Sequence, residues 1–187
     1  MSRKQVATPV ITIEDGIVTI TCETEGATIY HTYDGTTPTA ESTLYEAPFR
    51  QYSSCTMRAI AVKNGMLSSE VGISEPYVNP AFVMKIKTDN EGDSNDNQYT
   101  VGKFIFQPAF TIKTSDGQLF ENVSADTTIT FPSVGEYYIE LFGYTRFEGL
   151  ADKLKIIGIY NWGSTNLASL YQAFNGCFNM EDRKSVV

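Results

Sequence analysis

The chain reads Val18-Thr19-Ile20-Thr21-Cys22 and then Ala27-Thr28-Ile29-Tyr30-His31-Thr32-Tyr33. In the first run apolar side chains alternate with threonines, which is the period-2 pattern of a strand with one buried face. The second run is rich in β-branched and aromatic residues, which fit a pleated sheet. Asp15-Gly16 precedes the first run and Asp34-Gly35 follows the second, and both pairs are turn signals. The two runs therefore predict consecutive short strands.

More strands follow at similar spacing. Residues 57–62 and 71–73 read as strands, and Asn64-Gly65 between them is a tight-turn pair. Short strands separated by turns at such intervals are typical of a β-sandwich. Residues 75–80 contain two prolines, which interrupt strand pairing. We therefore expect a first sandwich over residues 9–77 and a domain boundary in this linker.

A second β-rich region follows residue 80. Residues 135–143 carry the strongest strand pattern in the chain, with Tyr137, Ile139 and Leu141 on one face. We expect a second sandwich over residues 82–150, so the predicted fold class is all-β, with two small immunoglobulin-like sandwiches in tandem. The other strand-like runs of this region are residues 82–87, 104–106, 110–112 and 128–131.

The pattern changes after residue 150. Residues 154–157 read as a short apolar strand, and residues 161–164 read as a turn. Apolar residues then recur at i, i+3, i+4 and i+7, which indicates a helix. We therefore expect a short strand-turn-helix unit over residues 151–181. Its helical face consists of Leu167, Leu170, Tyr171 and Phe174.

Composition and charge argue against two classes of function, nucleic-acid binding and membrane insertion. The 187 residues carry a formal net charge of −8, which argues against a nucleic-acid partner because phosphate binding needs a basic surface. No apolar run approaches the ~18 residues needed to span a bilayer. Residues 1–9 lack the apolar core of a secretory signal. We expect no membrane insertion, and either a leader already removed or another route out of the cell.

The residue types needed for catalysis are scarce. His31 is the single histidine, the sequence contains no Gly-x-Ser-x-Gly turn, and no carboxylate pair stands out among the 22 acidic residues. We therefore expect a protein that is not an enzyme and carries no cofactor. Cys22, Cys55 and Cys177 form no Cys-x-x-Cys pair, and a Cys22–Cys55 disulfide stays open because sequence does not fix its geometry.

One acidic stretch has metal-ligand chemistry. Calcium prefers clustered carboxylate and amide oxygens, which residues 89–97 supply. The EF-hand register fails, because Ser94 takes the glycine position and Thr100 takes the glutamate position. We expect a solvated loop and no metal site, with calcium as the alternative. The calcium candidates are Asp89, Glu91, Asp93 and Asp96.

Several aromatic side chains could stack on sugar rings, because an aromatic presents a large apolar face with a polar tip. Packing between the two sheets of a sandwich is the competing explanation for each of them. The candidates for glycan contact are Tyr30, Tyr33, Tyr45 and Trp162.

The first sandwich resembles the chitobiase/β-hexosaminidase C-terminal module. The resemblance rests on residues 26–39, Gly-Ala-Thr-Ile-Tyr-His-Thr-Tyr-Asp-Gly-Thr-Thr-Pro-Thr, and on residues 42–48, 58–62 and 65–69. His31 departs from the pattern, since the family often has a second tyrosine there. The resemblance implies an immunoglobulin-like accessory sandwich without a hexosaminidase active site.

Residues 82–181 resemble the opening of BspA-like leucine-rich surface proteins, in which a polycystic-kidney-disease-like sandwich precedes the repeats. The matching runs are residues 110–117, 135–143, 153–157, 161–163 and 173–180. The last run looks like a first repeat, and stacked neighbours would be needed to bury its apolar face. Residues 182–187 read either like translated adapter sequence or like an ordinary charged tail.

These resemblances imply a non-catalytic structural or adhesion fragment of a bacterial surface protein. Its sandwiches would act as spacer or display modules, and its missing C-terminal repeats would bind a host-surface protein or glycan. The expected location is the cell surface or the extracellular space. A phage virion protein, such as a fibre or capsid decoration, is one alternative, supported by the leaderless start. A carbohydrate-binding accessory module of a glycoside hydrolase is another.

Overall fold

A computed structural model describes residues 3–102, 109–124, 126–143, 151–163, 174 and 176–180. The chain divides into two compact units, residues 1–79 and 80–185, so the division falls within the predicted linker. The described residues form fourteen strands and one 3₁₀ turn, which confirms the all-β class for this part of the chain. No helix in that part is long and apolar enough to cross a membrane.

The first unit is built from two antiparallel sheets. One sheet has the order β1-β2-β5 and the other has the order β4-β3-β6-β7. The strands are β1 (Val10–Glu14), β2 (Ile17–Thr21), β3 (Thr28–Thr32), β4 (Thr43–Leu44), β5 (Phe49–Arg50), β6 (Arg58–Val62) and β7 (Gly72–Ile73).

The predicted turn at Asp15-Gly16 joins β1 to β2. Both residues have positive φ, 49° at Asp15 and 80° at Gly16. A two-residue turn of this kind matches the twist of the strands that it connects, and it pairs Glu14 with Ile17. The alternation then places Val18 and Ile20 in the interior. The buried core of the first unit is Ile11, Val18, Ile20, Met57 and Ala59.

The second unit contains a five-stranded sheet of order β11-β10-β13-β8-β14 and a two-stranded sheet of β12 and β9. The strands are β8 (Phe82–Lys87), β9 (Gln98–Val101), β10 (Phe110–Thr114), β11 (Leu119–Val123), β12 (Thr127–Thr130), β13 (Glu136–Phe142) and β14 (Ile156–Trp162), with the 3₁₀ turn at Lys153–Lys155 before β14.

The core of the second unit lies between these sheets. β13, from the strongest sequence pattern, occupies the centre of the larger sheet between β10 and β8. Its Ile139 and Leu141 are fully buried, as are Met84 and Ile86 of β8. Tyr99 of β9 is also fully buried, and its hydroxyl donates to the sulfur of Met84.

The strand predicted at residues 154–157 instead runs from Ile156 to Trp162, so the expected turn at residues 161–164 begins two residues too early. β14 pairs antiparallel with β8, with Trp162 opposite Phe82. Residues predicted to open a repeat thus belong to the sheet of the second unit, because Ile156 fills its core. The strand-like run 104–106, the helical residues Leu167, Leu170 and Tyr171, and the tail 182–187 lie outside the described residues.

Candidate functional sites

The single histidine is a core side chain of the first unit. His31 lies on β3 and is 4% exposed. Its ring stacks on Phe49 at 4.9 Å between centroids and meets Tyr45 edge-on at 6.5 Å. Its Nδ1 atom has no hydrogen-bond partner among the described residues. Burial lowers the pKa of His31, so the imidazole is held in its neutral form.

The three cysteines are free thiols, and the Cys22–Cys55 disulfide is not formed. The thiol of Cys22 donates to the carbonyl oxygen of Ala7 at 3.2 Å. Burial raises the pKa of Cys55 to about 11. Burial also raises the pKa of Cys177. A reactive cysteine needs a lowered pKa, so neither Cys55 nor Cys177 has the properties of a nucleophile.

The calcium candidates lie in the loop between β8 and β9. Asp89, Glu91, Asp93 and Asp96 are all exposed, and Asp89 forms an ion pair with Lys87 at 3.7 Å. Within the described ranges no group of three or more His, Cys, Asp or Glu side chains could hold a metal ion. A shallow depression here is lined by Asn90, Glu91, Gly92, Asp93, Ser94, Asp96 and Leu154.

The polar groups that organise this loop come from elsewhere in the sequence. Asp152 precedes the 3₁₀ turn before β14, Lys155 is the last residue of that turn, and both are fully buried. The ammonium of Lys155 donates to the carbonyl oxygens of Asn95 at 2.7 Å and Gln98 at 2.9 Å. The carboxylate of Asp152 accepts from the backbone N–H of Ser94 at 2.9 Å.

Sequence reasoning missed this pair. Lys155 is the middle residue of a Leu-Lys-Ile run that reads as an ordinary strand with one exposed lysine. Its partners lie about 60 positions away, for example the Asn95 carbonyl with a separation of 60. The pairing therefore leaves no local pattern in the sequence. The one clue is that Asp152 and Lys155 are three residues apart, on opposite sides of an apolar leucine.

The four aromatic glycan candidates do not form one platform. Tyr45 packs against His31 and Phe49, so its ring contributes to the core of the first unit. Tyr33 is 53% exposed and follows β3. Trp162 belongs to the second unit, where it lies against Phe82 and Phe174 at 5.7 and 5.8 Å between ring centroids. Packing therefore accounts for Tyr45 and for one side of Trp162.

Tyr30 has a different setting, on the outer face of the four-stranded sheet. Its neighbours His31 and Ile29 on β3 face the core, so Tyr30 faces away from it. Tyr30 pairs with Leu44 on one side and with Ile60 on the other. Arg58 lies on the same face and carries a buried Nε atom with no partner among the residues described. We call Tyr30, Leu44, Arg58 and Ile60 the outer tyrosine face.

The geometry of the first unit defines the class of module to which it belongs. Two packed antiparallel sheets, with the single histidine and the thiol of Cys55 used in packing, make the first unit a small immunoglobulin-like β-sandwich module. Residues 12–73 match the family model of the chitobiase/beta-hexosaminidase C-terminal domain, an accessory module rather than a catalytic domain. This match confirms the resemblance that we drew for the first sandwich. No curated protein matches the chain.

Proposed function

We propose that the chain is a non-catalytic part of a modular bacterial surface protein, in which the two units act as spacer or display modules. The observation that carries this proposal is the use of three buried ionisable groups in internal packing or hydrogen bonding. His31 stacks within the core of the first unit, and Asp152 and Lys155 bind backbone atoms of a loop in the second. A catalytic group would instead have to reach a substrate in a cleft.

The course of the chain through the second unit supports a spacer role. The chain enters at Phe82, which lies opposite Trp162 at one end of β14. Asn179 donates to the carbonyl oxygen of Leu154, which precedes the other end of β14. Seven extended residues span about 20 Å, so Phe82 and Asn179 lie near opposite ends of β14. In the spacer role, this separation is the length that the second unit would contribute.

In this proposal, residues beyond the second unit carry recognition. The resemblance of residues 82–181 to BspA-like proteins would place leucine-rich repeats there, and stacked repeats offer extended concave binding surfaces. The site of action would then be the cell surface or the extracellular space, and the partner a host-surface protein or glycan. The complete reading frame tests this part, because it either continues into repeats of fixed period or does not.

The spacer proposal is tested on the chain itself. We expect no turnover of a panel of aryl glycosides and no binding to host cells or glycans with sub-micromolar affinity. Glycoside turnover that survives purification to homogeneity would contradict the proposal. So would tight cell binding by this chain, since the spacer role assigns recognition to other residues.

The outer tyrosine face favours a second function, a carbohydrate-binding accessory module. Tyr30 offers a half-buried ring beside the exposed Leu44, and Arg58 lies on the same face. A glycan array would detect weak binding, and Tyr30→Thr should abolish it, since Thr removes the ring but is itself a residue that suits a strand. Tyr33→Ala is the matched control, because Tyr33 is exposed outside the sheet. Equal loss in both variants would argue against this face.

A further inference from the structure

The ammonium of Lys155 is surrounded by oxygen atoms in the interior of the second unit. Lys155 is fully buried. Its Nζ atom lies 2.7 Å from the carbonyl oxygen of Asn95, 2.9 Å from that of Gln98 and 3.1 Å from that of Ser94. The hydroxyl oxygen of Ser94 is a fourth acceptor at 3.1 Å. We call these four oxygens the Lys155 cradle.

A carboxylate completes the arrangement from the other side. Asp152 accepts hydrogen bonds from the N–H groups of Ser94 and Thr100 and from the hydroxyl of Ser94. The Ser94 hydroxyl therefore donates to Asp152 and accepts from Lys155, so it links the two charges. A buried charge is tolerated when hydrogen bonds satisfy it, and here both charges are hydrogen-bonded and are linked through the Ser94 hydroxyl.

The dimensions of the cradle distinguish an ammonium from a calcium ion. N–H···O bonds have donor–acceptor distances of about 2.7–3.2 Å, whereas calcium binds oxygen at about 2.3–2.6 Å. The cradle distances of 2.7 to 3.1 Å belong to the first range. The cradle also contains no carboxylate oxygen, although calcium sites are rich in them.

We propose that the Lys155 cradle is a cation site whose resident cation is the chain's own ammonium. This ammonium holds the loop between β8 and β9 in place of a divalent ion. The loop therefore keeps its conformation when calcium is removed. If the lysine is truncated, the vacated cradle binds a small primary ammonium ion.

The same contacts fix the position of β14. Asp152 and Lys155 lie within the four residues before Ile156, the first residue of β14, so the cradle ties the start of β14 to the loop. The side-chain amide of Asn90 adds a donor to the carbonyl oxygen of Leu154 at 3.1 Å. If residues 151–156 moved away from the loop, the charges of Asp152 and Lys155 would lose the hydrogen bonds that the loop provides. The cradle is thus a structural clamp that acts independently of any spacer or glycan-binding role.

The test measures hydrogen exchange in the full chain at the backbone amides of Ser94 and Thr100. Both amides donate hydrogen bonds to the carboxylate of Asp152. In the wild-type protein, neither calcium nor a chelator should change exchange or the unfolding midpoint. Lys155→Ala should accelerate exchange at both amides by at least about tenfold. Propylammonium, which replaces the deleted atoms, should slow it again. Tetramethylammonium at equal ionic strength is the control, because it has no N–H donor.

Either of two results with the wild-type and Lys155→Ala proteins would overturn the proposal. One is a rise in the wild-type unfolding midpoint with calcium, since a bound ligand stabilises by mass action. The other is a Lys155→Ala protein whose Ser94 and Thr100 amides exchange at the same rate in propylammonium as in tetramethylammonium. If Lys155→Ala does not fold, Lys155→Met keeps an apolar stem and removes only the donors. Wild-type exchange rates at Ser94 and Thr100 in that variant would equally refute the clamp.

Discussion

His31 and Phe49 stack with their ring centroids 4.9 Å apart and their planes inclined by 23°, inside the sandwich of the first unit. The histidine is 4% exposed, and its Nδ1 atom has no acceptor among the described residues. A protonated imidazole would place a charge against an apolar ring without a counter-ion. The native state therefore prefers the neutral form, in agreement with the lowered pKa of His31.

The first prediction concerns pH. The unfolded chain has a histidine pKa near the ordinary value of 6.5, and the folded pKa of His31 is lower. As pH falls through the range around 6.5, the unfolded state binds more protons than the native state, so stability falls with pH. More than about one pH unit above 6.5, both states are deprotonated and His31 contributes no slope. We expect the midpoint temperature of thermal unfolding of the first unit to decrease as the pH is lowered from about 6.5 to 5.

The control is His31→Phe, which keeps an aromatic ring against Phe49 and cannot titrate. This variant should show a flat midpoint over the same pH interval, because most carboxylates titrate below it. An equal decrease in wild-type and His31→Phe proteins would assign the pH dependence to other groups.

The second prediction concerns Gly72 on β7. A Cβ atom added there would lie 2.1 Å from the carbonyl oxygen of Pro9, which is backbone and cannot rotate away. Gly72→Ala should therefore lower the free energy of unfolding of the first unit by about 3 kcal/mol or more. Gly65→Ala is the comparison, because Gly65 has a φ of 82° but open space around it. Its cost should be about 1 kcal/mol, from backbone strain alone.

Hydrogen exchange of the amides in β6 measures both variants within the first unit. β6 pairs with β7 through Arg58 and Ala59, so it reports on opening of this sheet. Similar exchange in the two variants would mean that the Pro9 segment moves aside at little cost.

Local patterns explain how much of the fold was predictable. The Asp15-Gly16 turn and the alternation of Val18 and Ile20 are properties of neighbouring residues, and both appear in the structure as predicted. The division of the chain at residues 79 and 80 likewise falls in the proline-containing linker. Sheet membership is different, because it depends on partners far away in sequence. β14 reads as a strand in any setting, and only its pairing with β8 places it in the second unit.

The candidate sites were less predictable for a related reason. Residues 89–97 have the composition of a calcium loop, but a composition does not show which oxygens converge. In the structure the carbonyl of Asn95 faces an ammonium, and the ammonium belongs to Lys155. A pattern search over a window of about ten residues cannot detect a ligand supplied from a distant position. The ring of Tyr45 illustrates the same point, since its contact with His31 is settled by packing.

The third prediction concerns thiol reactivity. The pKa of Cys55 is raised to about 11 by burial, and the thiolate is the reactive form. At pH 8 its thiolate fraction should be about a hundredfold lower than that of a solvent-exposed thiol with a pKa of 9.0. We expect iodoacetamide to label Cys55 about a hundredfold faster in urea than in the folded protein. Peptide mass spectrometry gives the rate for each cysteine.

The intact mass of the purified protein, without reductant or oxidant, provides the companion measurement. Cys22 and Cys55 are free thiols, so the monomer should have the mass of the fully reduced chain. A loss of two mass units, with a linked peptide containing Cys22 and Cys55, would contradict the structure.

The last prediction tests the clamp through its packing and not through its charges. A Cβ atom on Gly92 would lie 2.5 Å from the Oδ1 atom of Asp152 and 2.8 Å from the Cε atom of Lys155. Neither atom can move away without a cost in free energy, because both side chains are fully buried and held by hydrogen bonds. Gly92→Ala should therefore cost about 1–3 kcal/mol. It should also accelerate exchange at the Ser94 and Thr100 amides.

Gly135→Ala is the matched control for this substitution. Gly135 lies in the same unit, neither glycine has a positive φ, and a Cβ atom there would meet Tyr137 at an ordinary 3.6 Å. We therefore expect Gly135→Ala to leave exchange at Ser94 and Thr100 close to the wild-type rate. If Gly92→Ala matched this control, the loop would have room to move away from Asp152 and Lys155, and the tight clamp inferred from their hydrogen bonds would be wrong. If only Gly92→Ala accelerated exchange, the close approach of the loop backbone to both side chains would be established independently of any change in charge.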